Sequence, residues 1–399
     1  MNILTTIRQH AAGRFFWQIV DAVTGQVVRE SPRWIPNLIL NDGMERVAAN
    51  SWCSCFTYGS CGTGTTSNSL DSGLVTASQT GTTVTASSSI FVATDANNGG
   101  VMIKWDSGEE ARVTGYTSAT QVTVTPSQAV GAGQFTIWRT NQVGLVSESK
   151  RSNTYLTGSP HCTTTRVGGI LTHRRTYDFT AEVGIVNYTE VGVAWSSSGS
   201  STHFSRVLLP APVPVGAGQQ LRLVYELILT LSPTVPNDVN TNLITNWPWG
   251  AVPNSYYNEQ MQLVGMSKVN TTGATTYFDL GEYTNEAYSI YLVFASSTST
   301  ALSTFGSSVS RSAGAIGYKA NTLAAYTPFN FYRDKLVTFN AGEINSAAIR
   351  CFGIGSGSQG FNSQYTNYGY LMLFDNNQEK PSTHTLSLTW RVAWSRDLA

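Results

Sequence analysis

Leu221-Arg-Leu-Val-Tyr-Glu-Leu-Ile-Leu229 decides the fold class, because every second residue from Leu221 to Leu229 is large and apolar. A period of two puts Leu221, Leu223, Tyr225, Leu227 and Leu229 on one face of an extended chain, whereas a helix would scatter them around its axis. The stretch reads as a core strand. Upstream, Arg206-Val-Leu-Leu209 reads as a second core strand, with Pro210 to Gly218 as the loop between them. Phe15-Phe-Trp-Gln-Ile-Val20 and Gln26-Val-Val-Arg29, joined across Val23-Thr-Gly25, read as an N-terminal hairpin. Similar short runs of Val, Ile, Thr, Tyr, Phe and Trp, punctuated by Gly, Ser, Asn and Pro, fill most of the chain.

Helical periodicity is nearly absent. Asp42 to Asn50 offers one short amphipathic turn, with Asp42 as its cap and Met44, Val47 and Ala48 inward, and Asn258 to Gly265 offers a counterpart. Thr80 to Thr140 has its own character, with Val101-Met-Ile-Lys-Trp105, Ala111 to Tyr116, Gln121 to Thr125 and Phe135-Thr-Ile-Trp138 as short strands. It reads as an inserted β-subdomain able to close into a small barrel. Asp95-Ala-Asn-Asn-Gly-Gly100 faintly matches a calcium loop, but Gly99 stands where an oxygen ligand belongs, so a hairpin turn is expected.

Ser232-Pro-Thr-Val-Pro-Asn-Asp238 has the composition of a linker, and the chain beyond it repeats the order of the chain before it. Met261 to Val269 echoes Met44 to Ala49, and Ser289 to Thr300 echoes Cys55 to Thr66. Val337 to Ala341 echoes Tyr177 to Ala181, Ala348 to Gly355 echoes Glu190 to Trp195, and Thr385 to Trp394 echoes Leu221 to Leu229. The expected architecture is all-β: two tandem, related antiparallel β-sandwich (jelly-roll-like) domains. The expected boundaries are an N-terminal hairpin or arm over 1–34, a first domain over 35–232 carrying the 80–140 insertion, and a second domain over 233–399.

Charged residues make up only 12% of the 399, and Lys+Arg and Asp+Glu each number 24, so the net charge is zero. That balance gives no basic footprint for nucleic acid or an anionic membrane, and it suits a chain that ends packed against copies of itself or partners. No run of about 18 apolar residues occurs, so no membrane insertion is expected. Met1 to His10 lacks a charged segment followed by an apolar one, so no secretory signal is expected either.

Asn37-Leu-Ile-Leu-Asn-Asp-Gly-Met44, then Cys61-Gly-Thr-Gly-Thr-Thr66, then Ser147-Glu-Ser-Lys-Arg151 come in an order that resembles the opening domain of bacteriophage tail-fibre and virion structural proteins. Phe179 to Gly184, Tyr188 to Gly192, Phe204-Ser-Arg206 and Gly218 to Glu226 continue the pattern. The resemblance covers roughly residues 15–232. It implies a β-sandwich acting as a non-enzymatic assembly module of the virion, most often tail-associated (fibre, tip or baseplate), with a head spike or capsid decoration as the alternative. Its partners would be copies of itself and other virion proteins.

Few residues stand in patterns that carry chemistry. Cys53, Cys55 and Cys61 are candidates for a disulfide, within the chain or between neighbours, or for a soft-metal site with His161 and Cys162. Adjacent His161 and Cys162 would point to opposite faces of a strand, and no Cys-x-x-Cys pair occurs, so buried thiols without metal or cofactor are expected. Glu182 and Glu190 are the best carboxylate pair for glycoside hydrolysis, against the simpler role of stitching strand ends to arginines such as Arg174 and Arg206. Trp247, Trp249, Tyr256, Tyr257, Phe361, Tyr365 and Tyr368 sit among Asn, Gln and Ser, where aromatic rings serve as interface anchors or stack on a host surface glycan.

Overall fold

The computed structural model describes residues 2–48, 52–167, 170–231, 262–263, 267–269, 275–277, 289–294, 316–320, 322–343, 349–356, 367–378 and 382–398. It is mostly β, with antiparallel sheets that include a curled half-barrel and one α-helix among the described residues. In chain order come β1 (Asn2–Asp21), β2 (Val27–Glu30), β3 (Ile35–Ile39), α1 (Asn41–Val47), β4 (Tyr58–Gly62), β5 (Ser69–Asp71), β6 (Ala77–Ala86), β7 (Met102–Trp105) and β8 (Glu110–Ser118). Next are β9 (Gln121–Gly133), β10 (Phe135–Trp138), β11 (Glu148–Ser152), β12 (Cys162–Val167), β13 (Ile170–Asp178), β14 (Val186–Ala194), β15 (His203–Val215) and β16 (Gln219–Leu231). Last come β17 (Gln262–Leu263), β18 (Ser267–Val269), β19 (Thr275–Tyr277), β20 (Ser289–Phe294), β21 (Ile316–Ala320), β22 (Thr322–Leu323), β23 (Tyr332–Phe339), β24 (Ile349–Ser356), β25 (Asn367–Gln378) and β26 (Leu386–Arg396).

The period-two alternation of Leu221 to Leu229 becomes β16, whose Leu221, Leu223, Tyr225, Leu227 and Leu229 are all fully buried in the main core. Each such burial stabilises by about 1.5–3 kcal/mol relative to exposure. β1 organises everything around it. One edge pairs antiparallel with β16 over Gln9–Asp21. Along the other edge lie β26 in parallel over Asn2–Ala11, β3 at Gly13–Phe15 and β2 at Gln18–Val20. The approach to β3 needs Gly13, because a Cβ there would sit 2.2 Å from Asn37 Oδ1. The expected hairpin is present, but residues 1–34 are no arm: β1 is interior to the sheet.

Strand pairing in the second half repeats the first. The path β11-β4-β14-β15-β3 is matched by β21-β20-β24-β25-β17, and β12-β13-β16-β1 by β22-β23-β26-β1. Both paths end on the same strand, antiparallel to β16 and parallel to β26. Four of the five sequence echoes fall on matching strands. The fifth does not, since Met44 lies in α1 while Gln262–Leu263 is strand paired with β25; the rest of the helix expected over Asn258–Gly265 lies outside the described residues. The expected 232/233 boundary does not follow the sheets either, because β22, β23 and β26 join the first-half sheet. Val337, Phe339, Leu386, Val392 and Trp394 enter its core.

The insertion spans Ser69 to Trp138 as a six-stranded sheet in the order β5-β10-β7-β8-β9-β6. It has its own core around Phe91, Ile103, Trp105, Val122 and Phe135. Among the described residues β5 and β6 remain edges, so these strands do not close into a ring. Its two ends meet, with Arg139 N donating to Asn68 O at 2.8 Å. Three local expectations change. Asp42 lies inside the first turn of α1, which continues directly from β3 with Leu40 at the cap position and no side-chain cap. Ala93–Ala96 is a 3₁₀ turn whose Asp95 accepts from Val92 N at 2.9 Å. The expected turn follows at Asn97–Gly100, closed by Gly100 N to Asn97 O at 2.9 Å, but it joins no hairpin because β6 and β7 do not pair with each other. Pro210 to Val215 continues β15 rather than forming a loop.

Candidate functional site

Prolines at 210, 212 and 214 cannot donate to a ladder, so a strand holds them only where donors are not required. β15 meets that condition, since among the described residues it pairs with β3 only at Ser205 and Arg206 and leaves that edge free beyond them. Pro210, Ala211 and Pro212 are consequently exposed. They form one wall of a cavity of ≈ 400 Å³ that faces Ser31, Pro32 and Arg33, with Trp17, Ile35 and Val213 as its buried floor. Arg29 closes one end: its guanidinium lies 5.5 Å from the Trp17 ring centre and donates to Pro214 O at 2.6 Å. Arg33 stands exposed at the rim. An apolar trough with two cationic groups on its lip can hold an aliphatic side chain with acidic neighbours.

Beside it, one end of the sheet is apolar. The turns at 21–25, 182–185 and 216–218 are tied together by Ala22 N to Gly218 O (3.0 Å) and Gly218 N to Glu182 O (2.9 Å). They present Val23 at 92% exposure, Val183 at 101% and Ile185 at 79%, with Val27 and Val28 half exposed on β2. Single exposed valines are ordinary, but this gathering at one end is the pattern of a contact surface.

The interior carboxylates are structural in their geometry. Glu190 and Arg206 are both fully buried and paired at 2.9 Å. Glu190 also accepts from Gly64 N (3.0 Å), Val146 N (3.0 Å) and Ser147 N (2.7 Å), which ties the exit of the insertion to β14. Burial pushes the Arg206 guanidinium down from its ordinary value, and the Glu190 charge opposes that shift. Glu182 takes Lys150 (2.6 Å) and the Tyr188 hydroxyl (2.6 Å), while Arg174 and Arg14 share buried Glu226. The two glutamates weighed as a glycosidase pair are thus each engaged within the protein, Glu190 with Arg206 and Glu182 with Lys150.

Two serine–histidine contacts bear on nucleophilic chemistry. Ser60 Oγ lies 3.1 Å from His203 Nε2, but Glu148 approaches that same nitrogen at 3.6 Å, and Ser60 and His203 are buried. A relay needs base and acid on opposite ring nitrogens and a reachable hydroxyl. At the surface, His10 contacts Ser395 Oγ through Nδ1 (2.9 Å) and Asp397 Oδ1 through Nε2 (2.6 Å). This trio clips β1 to β26, away from the cavity at Trp17 and Pro210.

No family model, no curated protein and no solved structure matches this chain.

Of the candidate residues in the sequence, Trp247, Trp249, Tyr256, Tyr257, Phe361 and Tyr365 lie outside the described residues. Tyr368 is in β25 opposite Gly355, with its side chain outside the described residues. Among the described residues neither Cys55 nor Cys61 forms a disulfide; both are fully buried, and burial holds the Cys61 thiol well above its ordinary range. The Cys53 side chain is not among those described. Sequence reasoning misses the groove because its residues come from separated segments of the chain. The Pro-x-Pro-x-Pro alternation from 210 to 214 is the available signal, and in sequence alone it reads as a loop.

Proposed function

We propose that this chain is a non-enzymatic structural subunit of a bacteriophage particle, tail-associated as fibre, tip or baseplate component, that docks to copies of itself and to other virion proteins. In this reading each repeat is a jelly-roll-like β-sandwich. The observation that carries it is the uncovered apolar end at Val23, Val27, Val28, Val183 and Ile185, adjoining the Trp17–Pro212 groove. Such a surface on a chain of zero net charge favours association over free solution. The ordered motifs from Asn37 to Arg151 that resemble virion proteins point the same way. The internal engagement of Glu182 and Glu190 supports an assembly role over sugar chemistry.

Mass spectrometry of particles purified from a host carrying the gene, with immunogold labelling, tests this. Label on tails is the expected result. Label on heads would move the assignment to a spike or decoration protein, and absence of the chain from particles would overturn it.

A further inference from the structure

The inserted sheet ends in an exposed turn of unusual make-up. Leu74 is 96% exposed at the tip of Asp71-Ser-Gly-Leu74. Gln134 bonds this turn through its Nε2 to Gly73 O (2.6 Å) and the neighbouring turn through Asp106 N to its own O (3.1 Å). The second turn, Asp106-Ser-Gly-Glu109, is exposed throughout. Leu74 therefore sits in a setting that includes the carboxylates Asp71, Asp106 and Glu109. Lys104 lies close by but is paired with Glu110 at 3.3 Å. The groove along Pro210–Val213 offers the converse, an apolar floor with Arg29 and Arg33 on its lip.

No residue of the insertion lines that groove. The insertion joins the main sheet through Asn68, whose amide donates to Arg206 O at 3.0 Å, while the groove begins farther along the same strand at Pro210. Knob and groove are separate patches; Leu74 and Arg33 are exposed, while Arg29 is exposed and already donates to Pro214 O at 2.6 Å. A contact between unlike patches either closes reciprocally, knob to groove twice over, as a two-fold pair or propagates head to tail into rings or filaments.

We propose that the Leu74 turn of one copy seats in the Trp17–Pro212 groove of the next, with Asp71, Asp106 and Glu109 facing Arg29 and Arg33. This rests on the self-association in the proposed function and names its surfaces. Burying one leucine and its acidic rim makes the contact salt-sensitive, since screening acts on the exposed charges.

The test uses the full chain in sedimentation velocity and light scattering. Leu74→Asp spoils the knob and Ala211→Trp fills the groove, and circular dichroism checks that both fold. Each variant is expected to self-associate roughly 10- to 100-fold more weakly than wild type. Mixed together, they are expected to form a species of two chains and no larger, because one intact knob meets one intact groove. High salt is expected to weaken the wild-type assembly. Where wild type associates and neither variant changes it, or where the mixture yields no pair, these surfaces are wrong while the structural role stands. A wild-type chain that stays monomeric at its solubility limit overturns self-association itself.

Discussion

Replacing Arg206 with Met should be among the most damaging single changes in the main sheet. Arg206 and Glu190 are fully buried, and the carboxylate holds three backbone amides as well as the guanidinium. Arg206→Met leaves a buried carboxylate without its cation and frees Thr66 O and Gln142, which the guanidinium also holds. Breaking one half of a buried pair costs about 3–5 kcal/mol. The three remaining amide bonds place the expectation near the lower end, at ~3 kcal/mol. Urea unfolding followed by tryptophan fluorescence measures the loss as a lower midpoint at unchanged slope. Native-state hydrogen exchange should show the amides of Gly64, Val146 and Ser147 opening first. Adding Glu190→Gln should cost less than the sum of the single changes, because the stranded charge is gone. A loss under ~1 kcal/mol for Arg206→Met, or strict additivity, would refute the reasoning.

His173 supplies a pH dependence. Burial, with Arg175 adding to it, lowers its pKa from 6.5 to about 4, so the folded state keeps the ring neutral. The unfolded chain then binds more protons between those values, so this contribution is intact above 6.5 and is lost as pH falls toward 4. The loss amounts to roughly 3 kcal/mol, and His173→Gln should flatten the urea-midpoint profile over that window. Gly100 has φ +81°, and a Cβ there would meet Val113 O at 1.7 Å. Gly100→Ala should therefore expose the insertion to limited proteolysis while β1 and β16 stay protected, and unchanged resistance would count against the reading. Because the ends of the insertion meet at Asn68 and Arg139, residues 67–141 expressed alone should melt cooperatively by circular dichroism, whereas a featureless melt would show that its core needs the main sheet.

Strand identity is legible wherever one face is buried: β16 comes from period-two text, and the four matched echoes come from the repeated order of short apolar runs. What the text hides is which strand lies beside which. Nothing in Asn2 to Arg8 announces that it will pair with Ser387 to Ala393, because ladder bonds are made by backbone common to all residues. Pro210 to Pro214 mislead for a related reason: proline argues against a central strand but is harmless on an edge, and edge or centre is a tertiary property. The groove shares that origin. Trp17 sits in an alternating run that looks like ordinary core, and only the exposed prolines opposite make it the floor of a site. The sequence offers Arg206 among the partners for its glutamates, yet nothing in it says that the amides of Gly64, Val146 and Ser147, the first and last inside motifs read only for their order, will complete the Glu190 carboxylate's shell.

The parallel seam between β1 and β26 has a consequence for the timing of synthesis. Ala11 lies opposite Arg396, and a ribosome adding about 5–20 residues per second needs roughly 20–80 s to pass from one to the other. β16 emerges midway and can claim Gln9 to Asp21 early. Asn2 to Arg8 must wait for the final strand, with an open edge that any extended neighbour on the same messenger can occupy. Polysomes crowd identical nascent chains together, so the interval before Leu386 appears is the window in which this protein is most exposed to pairing with the wrong copy.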